Sequence, residues 1–105
     1  MTELKNYKMF IGGEWLDSDT DKTFETLNPE NNKPWARVPE ASASDVDKAV
    51  KAAHNAFEGE WSKLLPRDRA KFLRAIGNKL RENAELLGKI ETIDTGKLFR
   101  ETNKQ

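Results

Sequence analysis

The sequence contains no cysteine and only one histidine among its 105 residues. The missing thiol excludes a disulfide framework, a thiolate metal site and a cysteine nucleophile within this chain. His54 alone, with no second imidazole, is a poor basis for a transition-metal centre. Long apolar runs are absent as well. The opening "MTELKNYKMF" has no signal-peptide core, and no run approaches the roughly 20 residues of a membrane span. The expectation is a cytoplasmic chain with no membrane contact. An excess of one charge sign is also lacking. Eighteen basic residues balance eighteen acidic ones, so nothing global attracts nucleic acid.

What is present suits a modest core. Residues are 36% hydrophobic and 34% charged, and the length allows one domain. The neutral total hides an asymmetry. Residues 1–62 carry seven basic and twelve acidic side chains, and residues 63–82 carry seven and two.

Periodicity divides the chain into strands followed by helices, an α+β order. "YKMFIGGEWL" (7–16) reads as two short strands hinged at Gly12-Gly13, because glycine takes positive φ at both turn positions. "FETLN" (24–28) and "WARVP" (35–39) read as further strands, separated by the turn cluster "NPENNKP". From residue 42 the period lengthens. Val46, Ala49, Val50, Ala53 and Phe57 form one helical stripe, with Ser42 or Ser44 as the cap. Pro66 suits the first turn of a second helix with Phe72, Leu73, Ile76 and Leu80 on its apolar face. A third helix after Asn83 is expected to bury Leu86, Leu87, Ile90 and Ile93 and to end at Gly96.

Three features invite chemistry. Asp94-Thr95-Gly96-Lys97 resembles the tail of a phosphate-binding loop, but Glu91 stands where that loop needs glycine and Leu98 where it needs Ser or Thr. A helix C-terminus with Gly96 as left-handed cap is the better reading. The basic stripe from Arg67 to Arg81 lacks interleaved aromatics, so a solvated face is favoured over nucleic-acid binding. Trp15, Trp35 and Trp61 flank turns and read as packing anchors. No residue pair reads as nucleophile plus base, so no catalytic residues are assigned.

Taken as a set, "FIGGEW", "FETLNPENNKPWARVPEASASDVDKAV" and "LLPRDRAKFLRAIGNKLRENAELLGKIETIDTGK" resemble the N-terminal region of an aldehyde dehydrogenase, from about Tyr7 to Gln105. The resemblance implies an α/β family. This chain would be its N-terminal part, a single incomplete domain of the NAD(P)-binding fold. It implies a parent enzyme that oxidises aldehydes to carboxylic acids with NAD or NADP through a cysteine thiolate. The nucleophile and nucleotide-binding loop of that family lie beyond this stretch. The chain alone is therefore expected to be inactive and to bind no cofactor. Its implied partners are the remainder of a dehydrogenase subunit or further copies of itself, and the parent is expected to be a homo-oligomer. A non-enzymatic interaction module, using the amphipathic helices, is the alternative. The resemblance also implies a monovalent-cation site at Thr26, Leu27 and Asp94, built largely from main-chain oxygens and incomplete here; the favoured alternative is that Asp94 simply hydrogen-bonds the backbone near its helix end.

Overall fold

A computed structural model describes residues 4–102. The order is β1 (Lys5–Asn6), β2 (Met9–Ile11), β3 (Glu14–Leu16), β4 (Thr23–Asn28), β5 (Lys33–Pro39), α1 (Ala43–Glu58), α2 (Glu60–Lys63), α3 (Pro66–Glu82), α4 (Ala84–Thr95) and α5 (Phe99–Thr102). The chain divides into two compact units. One comprises Met1–Thr26 with Pro34–Lys63, the other Leu27–Lys33 with Leu64–Gln105.

In the first unit the expected hairpin forms. Gly12 and Gly13 take φ of 60° and 83°, which supplies the two positive angles a two-residue connection needs. The register pairs Met9 with Leu16 and Phe10 with Trp15. The Phe10 and Trp15 rings meet tilted at 52° with centroids 4.8 Å apart, yet they remain 60% and 68% exposed. Trp15 is therefore a cross-strand partner on an open face and does not anchor a core. Trp35 comes closer to the expected role, half-buried with Tyr7 set edge-on at 6.2 Å.

The second sheet has the order β1-β5-β4. The pattern of apolar residues gave no sign of β1, which is only two polar residues long and runs parallel to β5, Lys5 opposite Ala36. Four residues connect β4 to β5, too few for a crossover, so these strands form a hairpin. Asn28 builds its turn. Its side-chain oxygen accepts from the Glu30 N–H at 2.9 Å and its carbonyl from the Asn32 N–H at 2.7 Å.

Ala36 sits on the central strand and is fully buried, the one buried hydrophobic residue among those described. A larger side chain there has nowhere to go. Ala36→Leu should cost about 1–3 kcal/mol by overpacking, read as a lower urea midpoint.

α1 forms with the expected stripe on one side, and that stripe is open. Val46, Val50 and Phe57 are 54%, 61% and 70% exposed. The face turned inward is Asp45, Ala49 and Ala52, spaced i, i+4, i+7. Ala52 Cβ lies 4.0 Å from where a Cβ would project from Gly12, so small residues allow the close approach of helix and hairpin. Gly59 ends the helix, its N–H donating to Ala56 O at 3.3 Å.

In the second unit Pro66 occupies the first turn of α3 as expected. Asn83 ends α3 and precedes α4, but its side chain caps neither α4 amide. It donates backwards to Lys79 O at 2.9 Å. Leu86 and Leu87 are 52% and 42% exposed, whereas Ile90 and Ile93 are half-buried. The expectation of burial thus fails at the first turn of α4, which faces open space beside α3.

α5 is latched to α4 by one hydroxyl. Thr102 is buried, and its Oγ1 donates to Gly88 O at 2.9 Å and lies 3.0 Å from Thr92 Oγ1. One hydroxyl carries one proton, so Thr92 supplies the donor in the second contact. Thr102→Val keeps the shape and removes the hydroxyl's contacts with Gly88, Thr92 and Phe99. It should cost about 1–2 kcal/mol and raise amide exchange across α5 first.

Candidate functional site

The phosphate-loop reading is settled by backbone geometry. Gly96 has φ 79°, ψ 4°, and its N–H donates to Thr92 O at 2.9 Å, a left-handed helix cap. Thr95 Oγ1 bonds Glu91 O at 2.7 Å, and the Lys97 ammonium pairs with Glu91 at 3.1 Å. The lysine is engaged with a carboxylate at the negative end of a helix, where a cation belongs.

That cap has a neighbour. A Cβ built on Gly96 would stand 3.1 Å from Pro29 Cγ. The "NP" turn after β4 and the "DTG" end of α4 are therefore in contact inside the second unit. Leu27 is an exposed residue of β4 just before that turn, and Asp94 is an exposed residue of the last turn of α4. Thr26 is a half-buried residue of the same strand and belongs to the first unit. Among the described residues no three His, Cys, Asp or Glu side chains cluster as a metal site.

The most elaborate polar arrangement is elsewhere, at Asp45. Its Oδ2 accepts from the Ser42 N–H at 3.0 Å, the Ser42 hydroxyl at 3.1 Å and the Asp19 N–H at 3.2 Å. Ser42 Oγ in turn accepts from the Asp45 N–H at 3.1 Å. This is a reciprocal capping box whose carboxylate also fastens the β3–β4 loop to the start of α1. The Ser42 amide, foremost, with the Asp19 amide, the Ser42 hydroxyl and the Lys48 charge, holds this carboxyl below the usual carboxylate range, against the opposing effect of burial. Ser18, also buried, completes the loop by donating to Lys22 O at 3.2 Å. The Ser-x-x-Asp spacing of residues 42–45 was the available signal. The contact with Asp19, 26 residues away, had none.

His54 is exposed on α1, 3.2 Å from Glu58 Oε1, and approaches no other titratable partner at ion-pair distance among the described residues. The basic residues of α3 behave as a solvated face. Lys71 pairs with Asp68 at 3.8 Å and Lys79 with Glu82 at 3.3 Å, both exposed contacts of little energetic weight. No helix is long and apolar enough to cross a membrane among the described residues.

The geometry thus defines a mixed strand-and-helix module with structural caps and latches, and with no thiol for thiolate chemistry. Comparison with known proteins adds the family. The aldehyde dehydrogenase family profile matches residues 15–105, and the chain belongs to that family. It is 45% identical over 89 residues to an aldehyde dehydrogenase of Aspergillus niger, covering 85% of this chain and 18% of that protein. It is 40% identical over 100 residues to the cytosolic 10-formyltetrahydrofolate dehydrogenase of Xenopus tropicalis, covering 94% of this chain and 11% of that one. The crystal structure of Staphylococcus aureus betaine aldehyde dehydrogenase in complex with NAD+ superposes with a TM-score of 0.88 at 39% identity, over 92% of this chain and 20% of that one. The chain therefore spans between about a tenth and a fifth of the length of these relatives.

Proposed function

We propose that this chain is the non-catalytic N-terminal part of an NAD(P)-dependent aldehyde dehydrogenase, an incomplete piece of its nucleotide-binding domain. The parent enzyme would oxidise aldehydes to carboxylic acids. The observation that carries the reading is the family match over residues 15–105 in a chain with no cysteine. Thiolate attack on an aldehyde needs a residue this chain does not hold. The chain alone should yield no NADH from any aldehyde and should bind neither NAD nor NADP. Cofactor binding would belong to the whole subunit, a homo-oligomer in the cytoplasm. The cytosolic Xenopus relative supports that location, and the Staphylococcus relative solved with NAD+ supports the cofactor class.

The test is a chimera in which this chain replaces the matching stretch of the Staphylococcus enzyme. Aldehyde-dependent NADH formation by the chimera, with none from the isolated chain, is the expected result. Turnover by the isolated chain would sink the proposal.

Thr26, Leu27 and Asp94 are part of the same reading, as an incomplete monovalent-cation site. The contact between the Pro29 turn and the Gly96 cap, both in the second unit, supports it for Leu27 and Asp94, which lie two residues from those positions. Main-chain oxygens and a carboxylate suit a hard cation. In the chimera, potassium should raise the melting temperature relative to a bulky organic cation, and Asp94→Ala should abolish the difference. The interaction-module alternative is favoured by one observation, the exposed apolar faces of α1, α3 and α4. It is compatible with the fragment reading, because the same faces would receive the rest of the subunit.

A further inference from the structure

We infer that the polar face of α3 is a docking strip for an acidic helix of another protein. The inference goes beyond the family reading and does not depend on it, because it uses the charged side of the helix and none of the apolar faces.

α3 carries Arg67, Arg69, Lys71, Arg74, Lys79 and Arg81 against two carboxylates, Asp68 and Glu82. Both carboxylates are already engaged, and both by lysines. Asp68 pairs with Lys71 and Glu82 with Lys79. Among the described residues no arginine of α3 takes part in an ion pair. Arg69 is half-buried, whereas Arg67, Arg74 and Arg81 are exposed. These three recur every seven residues. Seven residues fall within about 20° of two full helical turns, so the three share one side. At a rise of about 1.5 Å per residue they stand about 10.5 Å apart and span about 21 Å. Lys71 and Asn78, each four residues after an arginine and both exposed, fill the turns between them. A guanidinium is always charged, and its planar fork fits a carboxylate with two parallel hydrogen bonds. Three such forks in a row, with no carboxylate of their own, form a template for a row of carboxylates.

Those carboxylates come from outside this chain. On α1, Asp45 is buried in its capping box, Asp47 pairs with Lys51 at 2.9 Å and Glu58 lies 3.2 Å from His54. On α4, Glu85 pairs with Lys89 and Glu91 with Lys97. A second copy therefore offers no free acidic row. Nucleic acid fits less well, because no aromatic side chain shares the strip to stack a base and the chain as a whole is neutral. A helix with Glu or Asp at every seventh position repeats at the same 10.5 Å, about one carboxylate for each arginine when it lies alongside α3.

The test uses the whole chain and a synthetic alanine-based helical peptide of about 22 residues, long enough to span the strip. Its Glu residues stand at i, i+4, i+7, i+11 and i+14, and binding is read by fluorescence anisotropy. The peptide should bind at an ionic strength of about 0.1 M and be released at about 1 M, where the screening length falls from about 10 Å to about 3 Å. Arg67→Gln, Arg74→Gln and Arg81→Gln together should weaken binding at least about tenfold, the sum of three exposed pairs. Arg74→Glu alone, at the centre of the strip, should weaken it severalfold, and circular dichroism checks that each variant keeps its helices. Lys5→Gln, Lys22→Gln and Lys63→Gln together make the same change in net charge away from α3 and should leave binding unchanged. Failure of the peptide to bind overturns the inference. So does equal affinity for a peptide of the same composition with its Glu residues scattered around the helix, equal weakening by the lysine variants, or tighter binding of a DNA duplex of similar length.

Discussion

Gly96→Val is expected to remove most of the stability of the second unit. Two independent causes add. Gly96 holds φ 79°, a conformation that a β-branched residue almost never adopts. Its Cβ would also meet Pro29 Cγ at 3.1 Å, inside ordinary contact distance. Strain and crowding together predict a loss of roughly 2–4 kcal/mol. Natural domains have about 5–15 kcal/mol in total, and a chain with so little buried apolar surface stands at the low end.

The two causes separate experimentally. Gly96→Asn tolerates the left-handed angle but keeps the Cβ, so it should cost about 1 kcal/mol, from the proline contact. Pro29→Ala removes the atom at 3.1 Å and leaves the Cβ at 3.8 Å, an ordinary contact. Gly96→Ala should therefore be milder in the Pro29→Ala background than alone, a positive coupling in a double-mutant cycle by urea melts. Equal costs in both backgrounds would show that the contact with Pro29 contributes nothing.

Acid should loosen the first unit at Asp45. The sign follows from linkage. The folded carboxyl titrates below its unfolded value of about 3.9, because three donors stabilise the ionised form. Its contribution is thus fully present above that unfolded value. It is lost as pH falls from there through the lower folded value. Asp45→Asn should lower stability at neutral pH and flatten the acid limb of the stability profile. The loss should exceed that of Ser42→Ala, which breaks the cap but leaves the Asp19 amide on the carboxylate. Ser42→Ala itself should cost about 1 kcal/mol. An acid limb unchanged by Asp45→Asn would remove Asp45 from the account.

Local chemistry was legible in the residues. Gly12-Gly13 demanded a hairpin, Ser42 capped α1, Pro66 opened α3, and Gly96 ended α4, each for a reason confined to one turn of backbone. β1 escaped notice because two polar residues carry no period. Its pairing with β5 exists only through a partner some thirty positions on. The helices α2 and α5, four residues each, are likewise too short to show a stripe.

The amphipathic pattern was read correctly as pattern, and wrongly as burial only at Leu86 and Leu87. Val46, Val50, Leu80 and Leu86 lie on faces that a fold would cover, yet they are exposed. Periodicity records which face is apolar. It does not record whether the covering surface lies within the same 105 residues. The sequence by itself determined the family, the order of the longer strands and helices, the ends set by Ser42, Pro66 and Gly96 and the lack of a thiol nucleophile, because these depend on residue identity and near neighbours. Only the tertiary structure decided that α1 turns Asp45, Ala49 and Ala52 inward, that Pro29 meets Gly96, that Asp45 reaches Asp19, and that the α3–α4 groove stands open. Those are contacts between residues distant in the chain, and their partners are chosen by packing in three dimensions.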